Sequence, residues 1–242
     1  MQRNYAAATV QKHIKAIKTF FNWCVNFELI EKSPAKAVKG KRPPRHISRD
    51  KAMSDDELAA LLDYVKWKPR DYALILFLAD TGCRRSGAAG IRLEDLDFQK
   101  LRAVVTEKGE KSRLVSFGEE CARAIHKHLG SRKKVMGVYV FSHDGLPMQP
   151  ENISIIIRRA CQKIGIRTLS AHSLRHRKGH QLADAKVPLT VAATALGHES
   201  PLTTLTYYPG DWETAEKELQ KLTTPVTLPR KVVNFTPPNG NP

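Results

Sequence analysis

The stretch AHSLRHRKGHQLADAKVPLTVAATALGHESPLTTLTYY, residues 171–208, divides into three helices with short joins and carries most of its polar chemistry at their ends. Apolar spacing predicts helices over His172–Ala183, Leu189–Leu196 and Pro201–Tyr207. His172 and Arg175, three residues apart, project from one face of the first, while Leu174 turns to the core. A His beside an Arg is a poor choice for stability, because each disfavours the other's charge. The pairing makes sense if both face an anion, with Arg neutralising it and His exchanging a proton. A surface pair without a role is the plain alternative. Gly197 fits a helix C-cap after Leu196, so His198 leaves the helix at a defined angle. A lone His there is ordinarily a capping or packing residue. Tyr207 and Tyr208 follow a Thr-rich turn and cannot both face the same core, which predicts that at least one shows its hydroxyl to a groove.

Working back along the chain, Thr81-Gly82-Cys83-Arg84-Arg85-Ser86 ends an apolar helix that starts at Pro69 and runs through Tyr72–Ala79. Gly82 permits a sharp turn, a helix start behind it would aim N–H groups at an anion, and an Arg grips phosphate bidentately. A solvated basic turn is the competing reading. Ser54-Asp55-Asp56-Glu57 is a capping box ahead of Leu58, Leu61, Leu62 and Val65. Arg102–Glu107 and Arg113–Phe117 are predicted strands around the turn Lys108-Gly109-Glu110-Lys111. Hairpin tips are exposed, so plain solubility explains that turn, although a flexible Lys at a tip reaches a bound backbone and donates a proton. Further expectations are a helix over Glu119–Leu129, a short strand over Val138–Phe141, and a helix capped by Asn152 and running to about Ile164.

Upstream, Thr9–Phe27 reads as an amphipathic helix with Val10, Ile14, Ile17, Phe20, Phe21 and Cys24 or Val25 on one stripe and Lys12, Lys15 and Lys18 off it. Ser33-Pro34 opens a short helical turn. KGKRPPRHISRD, residues 39–50, is rich in Pro and cations and predicts an extended linker at a domain boundary. At the other end, Trp212–Leu222 is amphipathic and the Pro-rich residues 223–242 form a tail.

Across 242 residues, 40 Lys and Arg oppose 24 acids, a formal charge of +16. Such an excess opposes compaction, and a polyanion relieves it. Nucleic acid is the first candidate, through counterion release on phosphate neutralisation. A membrane surface fits less well, because the cations are spread along the chain. Cys24, Cys83, Cys121 and Cys161 contain no Cys-x-x-Cys pair and read as reduced structural thiols, not a disulfide or zinc framework. No signal peptide or membrane-spanning run is legible, so a cytoplasmic, nucleoid-associated protein is expected.

Taken together, in this order and spacing, these clusters resemble the signature of the tyrosine recombinases, also called phage integrases, from about Thr9 to Leu222. The family pattern Thr-Gly-x-Arg-x-Ser-Glu assigns its first catalytic arginine to Arg84. Gly-Lys-Gly-x-Lys-x-Arg assigns the lysine to Lys108, with Lys111 in reserve. His-x-Leu-Arg-His gives His172 and Arg175, Leu-Gly-His gives His198, and a tyrosine nine residues later gives Tyr207 over Tyr208. The chain departs at Gly87, where the family has Glu, and at Ser173, where it has Asp. Both acids support neighbours and do not react, so activity is expected with altered packing around the site.

The resemblance implies a mainly α fold with a small antiparallel sheet. A catalytic domain over 53–222 would follow a partial helical core-binding segment (1–40) and a linker (41–52), with a tail over 223–242. The short front of the clamp implies a truncated or minimal form. It also implies a Tyr207 nucleophile, a 3′-phosphotyrosyl intermediate, and no metal, ATP or other cofactor. The implied partners are double-stranded DNA with inverted repeats and further copies of the chain, a tetramer on two sites. Two other classes compete: a DNA-binding relative without the chemistry, which would give no covalent adduct, and a one-strand topoisomerase, which would give one on many sequences.

Overall fold

The computed structural model describes residues 7–40, 48–107, 109–132, 137–143 and 145–208. Helix α1 (Ala7–Asn26) forms where periodicity places it, but the described residues cover its apolar stripe only in part. Cys24 is buried, whereas Val10, Ile17 and Phe20 are 37%, 48% and 57% exposed. The reason is how much the returning chain covers. The Ser33–Gly40 segment covers only one edge of that stripe: a Cβ on Gly40 would sit 2.6 Å from Ile14, and Lys18 Nζ donates to the Lys36 carbonyl. Phe20, Trp23 and Phe27 are left to pack on one another, with ring centroids 6.3 and 4.8 Å apart.

Residues 41–47 of the expected linker lie outside the described residues, and its end is not extended. Arg49–Lys51 form a 3-10 turn capped by Ser48, and Arg167 donates to the Asp50 and Ala52 carbonyls. The capping box is present at α2 (Asp55–Val65): Ser54 N donates to Glu57 Oε2 at 2.8 Å and Glu57 N to Ser54 Oγ at 3.1 Å. Leu58, Leu61 and Val65 turn inward, one helical stripe.

Helix α3 (Pro69–Thr81) begins on the expected proline and is the centre of the core. Leu74, Ile75, Phe77 and Leu78 have no exposure at all, because α2, α5 and α7 pack around it. Each such side chain contributes roughly 1.5–3 kcal/mol by leaving water. Phe77 meets Phe117 and Phe141 at 6.0 and 5.9 Å, and truncating it to Ala would cost about 3–5 kcal/mol.

After α4 (Arg85–Gly90) the chain builds an antiparallel sheet in the order β1 (Leu96–Asp97), β2 (Arg102–Glu107), β3 (Lys111–Ser116). Its register pairs Glu107 with Lys111, closing the predicted hairpin. Burial in β2 alternates strictly, with Ala103, Val105 and Glu107 inward. Helix α5 (Glu119–Gly130) follows. The strand expected over Val138–Phe141 does not form. Tyr139 makes one isolated bridge to Arg92, and a short hairpin, β4 (Ser142–His143) with β5 (Leu146–Pro147), comes instead. Val140 N and Val138 O bond to Ile91 and Leu93, single contacts to a loop that offers no strand to pair with. Helix α6 (Pro150–Ile164) starts at Pro150 behind Gln149, not at an Asn152 cap, because proline suits the first turn, where its missing N–H is not needed. Helices α7 (Ala171–Asp184), α8 (Leu189–Leu196) and α9 (Pro201–Thr204) complete the described chain, and a 3-10 turn carries Leu205–Tyr207. The expected helix over Trp212–Leu222 and the tail after it lie outside the described residues. No helix among those described is long and apolar enough to cross a membrane.

Candidate active site

The site is assembled where α3, α7 and the end of α8 meet the tip of the β2–β3 hairpin. Helix α3 stops at Gly82 in the left-handed region (φ 59°), where Thr81 Oγ1 donates to Phe77 O at 2.6 Å and accepts from Cys83 N at 3.2 Å. A Cβ at Gly82 would also press on Lys178 at 2.9 Å, so glycine is required twice over. That turn delivers Arg84 in extended conformation ahead of α4.

Arg84 does not offer its amide to a free anion, as the turn suggested. Its N–H donates to Glu107 Oε1 at 2.7 Å and its guanidinium to Glu107 Oε2. Both guanidinium Nη atoms also reach the Gly197 carbonyl, Nη2 at 3.3 Å. Glu107 is 8% exposed and also receives Arg113 Nη2 at 3.2 Å. Burial pushes its carboxyl up, but the Arg84 amide and the Arg113, Arg84 and Arg175 cations outweigh this and hold it below the ordinary carboxylate range. Arg113 continues to the Ala195 carbonyl, fixing the end of α8.

Arg175, on α7, is 2% exposed and donates Nη1 to the Gly82 carbonyl at 2.8 Å. Its Nη2 is buried and meets no acceptor among the described residues. Burial and the nearby Arg84 cation lower its pKa to about 10, so it stays charged near neutrality. Arg84, Arg85, Ser154, His172 and Arg175 line one groove of about 660 Å³. Desolvation, then Arg175 and Arg84, hold His172 below its ordinary pKa.

Tyr207 sits 3% exposed on the 3-10 turn, its hydroxyl 3.0 Å from His176 Nδ1. His180 meets its ring edge-on at 5.3 Å and His198 stacks parallel at 6.3 Å. The ring packs so closely on α7 that a Cβ at Gly179 would be 2.7 Å from it. Burial raises the Tyr207 pKa while Arg175 opposes that rise. His176 and His198 are lowered to about 4, in both cases chiefly by burial, with neighbouring cationic groups adding to it. His198 Nδ1 is 2.6 Å from Thr204 Oγ1, so Gly197 in the left-handed region (φ 65°) aims it as expected.

Neither tyrosine shows its hydroxyl to an open groove: Tyr208, half-buried, donates to the Val187 carbonyl at 2.6 Å. That expectation fails because each hydroxyl finds a local partner. The structure thus brings Arg84, His172, Arg175, His198 and Tyr207 together. Lys108 lies outside the described residues, and Lys111 pairs with Glu199 at 2.6 Å. Ser173, standing where the family has Asp, is buried and accepts from Ser170 N at 3.3 Å at the start of α7. Sequence reasoning missed Glu107, Arg113, His176 and Gly179. Glu107 carried a legible signal, since period 2 along β2 puts it on the inward face with Ala103 and Val105. His176 did too, one turn after His172, to which its ring packs at 4.3 Å.

Residues 51–212 match the model of the phage integrase family. The chain is 29% identical over 213 residues to tyrosine recombinase XerC of Corynebacterium efficiens, covering 86% of this chain and 69% of that one. It is 25% identical over 203 residues to a tyrosine recombinase of Pseudothermotoga lettingae, covering 83% and 70%. The crystal structure of XerA recombinase superposes with a TM-score of 0.61 at 25% identity, covering 91% and 78%. The Tn1549 transposon integrase in complex with transposon right end DNA superposes at 0.73 with 20% identity, covering 90% and 80%. The chain belongs to the phage integrase family, and its curated relatives are tyrosine recombinases.

Proposed function

We propose that this chain is a tyrosine site-specific recombinase that cuts and rejoins double-stranded DNA by transesterification. The observation that carries the reading is the groove lined by Arg84, His172 and Arg175, together with the buried Arg175 Nη2, which meets no acceptor among the described residues. A buried donor without an acceptor is costly, and a phosphate oxygen is the ligand that satisfies it.

In the cutting step the Tyr207 oxygen forms a bond to phosphorus and the bond to the 5′-oxygen breaks. The product is a 3′-phosphotyrosyl link, and a 5′-hydroxyl from another strand reverses it. Arg84 and Arg175 neutralise the phosphate and the extra charge of its five-coordinate transition state. His198 donates to a non-bridging oxygen, and Lys108 protonates the departing 5′-oxygen. The Tyr207 proton goes first to His176, its hydrogen-bond partner, with His172 packed against that ring. His176 is a weak base at rest, and the phosphate's negative charge raises its proton affinity as the substrate seats. No residue role here calls for a metal or a nucleotide.

The partner is duplex DNA bearing inverted repeats, bound by copies of the chain that form a tetramer on two sites. Residues 1–40 act as part of the clamp, 41–52 as the linker, 53–222 as the catalytic domain and 223–242 as the tail. The test is a randomised library of nicked duplexes, which trap a covalent intermediate, in buffer with EDTA and no ATP. The reading predicts trapped complexes enriched for one inverted-repeat sequence. No adduct would make the chain a binder only, and adducts without sequence enrichment would make it a topoisomerase.

A further inference from the structure

The family pattern puts a carboxylate at position 87, three residues after the first arginine, and a glycine at position 107, before the hairpin lysine. This chain has the reverse, Gly87 and Glu107. The two positions are neighbours in space: a Cβ on Gly87 would lie 3.2 Å from Glu107 Cγ and 3.5 Å from Glu107 Oε1. A side chain at 87 and the carboxylate at 107 therefore compete for one volume. Position 107 is on the inward face of β2, so its side chain enters that volume from the sheet instead of from α4.

We infer that Glu107 is a positioning residue for the cleavage step, supplying from β2 the carboxylate that the family pattern places on α4. This inference rests on the recombinase reading and deepens it. Each oxygen of Glu107 is committed. Oε1 accepts from the Arg84 amide at 2.7 Å and from Arg113 Nη2 at 3.2 Å, and Oε2 accepts from the Arg84 guanidinium. Arg113 in turn holds the end of α8, packed so closely that a Cβ on Gly197 would be 2.5 Å from its Nε. One carboxylate thus sets the Arg84 backbone, the Arg84 fork and, through Arg113, the turn that aims His198. It also offsets part of the repulsion among Arg84, Arg113 and Arg175, which would otherwise face one another with no anion between them. Glu107 touches no substrate in this account and acts through the arginines.

The test is a cycle of full-length variants: Glu107→Gln, Glu107→Gly, Gly87→Glu, and Gly87→Glu with Glu107→Gly. Each is assayed for covalent trapping of the duplex enriched from the randomised nicked library, and for thermal midpoint. Glu107→Gln keeps the shape and loses the charge, and should slow trapping on the order of 10-fold or more while the protein stays folded. Glu107→Gly and Gly87→Glu should each slow it at least as much, one by an absent carboxylate and the other by two in one volume. The double variant should trap faster and melt higher than either single change, because the carboxylate returns by the other route. A double variant whose losses simply add, or a Glu107→Gln that traps at the wild-type rate, would overturn the inference. Failure of the wild-type chain to trap DNA would instead overturn the recombinase reading. The melting cycle then decides the exchange by itself, with rescue supporting it and additive loss refuting it.

Discussion

Gly179→Ala adds one methyl group and removes no charge, yet the structure makes it a severe change. The added Cβ would stand 2.7 Å from Cε1 and Cζ of Tyr207 and 2.8 Å from Cδ1. Ordinary contact begins near 3.4 Å, so the ring must retreat by most of an ångström, or α7 must. Overpacking of this kind costs about 1–3 kcal/mol, whereas alanine in place of glycine inside a helix returns about 1 kcal/mol. The net loss of stability is therefore small, roughly 0–2 kcal/mol, and melting alone would not reveal it. Cleavage should. Displacing the phenol by about 1 Å from His176 and Arg175 should slow covalent trapping on the order of 100-fold. DNA affinity, measured by gel shift, should stay within about twofold, since no cation moves. The assay is single-turnover trapping on a nicked duplex, with the gel shift alongside. A Gly179→Ala protein that traps DNA at the wild-type rate would refute the claim that the α7–Tyr207 packing sets the nucleophile's position.

Other perturbations separate the remaining parts. Arg175→Lys loses the planar fork that donates one N–H to the Gly82 carbonyl and holds a second without an acceptor among the described residues, and should slow trapping about 100-fold in the same assay. Tyr208→Phe loses one hydrogen bond to Val187, so it should melt slightly lower, by about 1 kcal/mol, and trap normally. His176 titrates at about 4 when folded against an ordinary 6.5, a depressed value, so its stabilising contribution is full above pH 6.5 and is lost as pH falls toward 4. The linkage amounts to about 3 kcal/mol, and melting between pH 7 and 4 should be flatter in His176→Gln.

Much of the site was legible because it rests on local rules. Proline at the head of α3, glycine in the left-handed turn after it, and the three-residue spacing of His172 and Arg175 are each decided within a few residues. Burial of the Tyr207 hydroxyl was not legible. It depends on Gly179 and His176, residues about thirty positions away that look like ordinary members of a basic helix. Period 2 along β2 places Glu107 inward, but its role was not legible. Next to Lys108 and a glycine turn it reads as a solvated hairpin tip, and its partner Arg84 is 23 residues distant. Where the reading erred over Val138–Phe141, four apolar residues had the composition of a strand, but the chain bends and turns there with one isolated bridge, a matter of tertiary context.

In the proposed reaction the Tyr207 oxygen becomes the covalent link to DNA. Trapping wild-type protein on the enriched nicked duplex, digesting both components and locating the modified residue by mass spectrometry tests it directly. The expected result is a phosphonucleotide on Tyr207 and unmodified Tyr208, with the adduct absent in Tyr207→Phe. A modified Tyr208, or an adduct that persists in Tyr207→Phe, would contradict it.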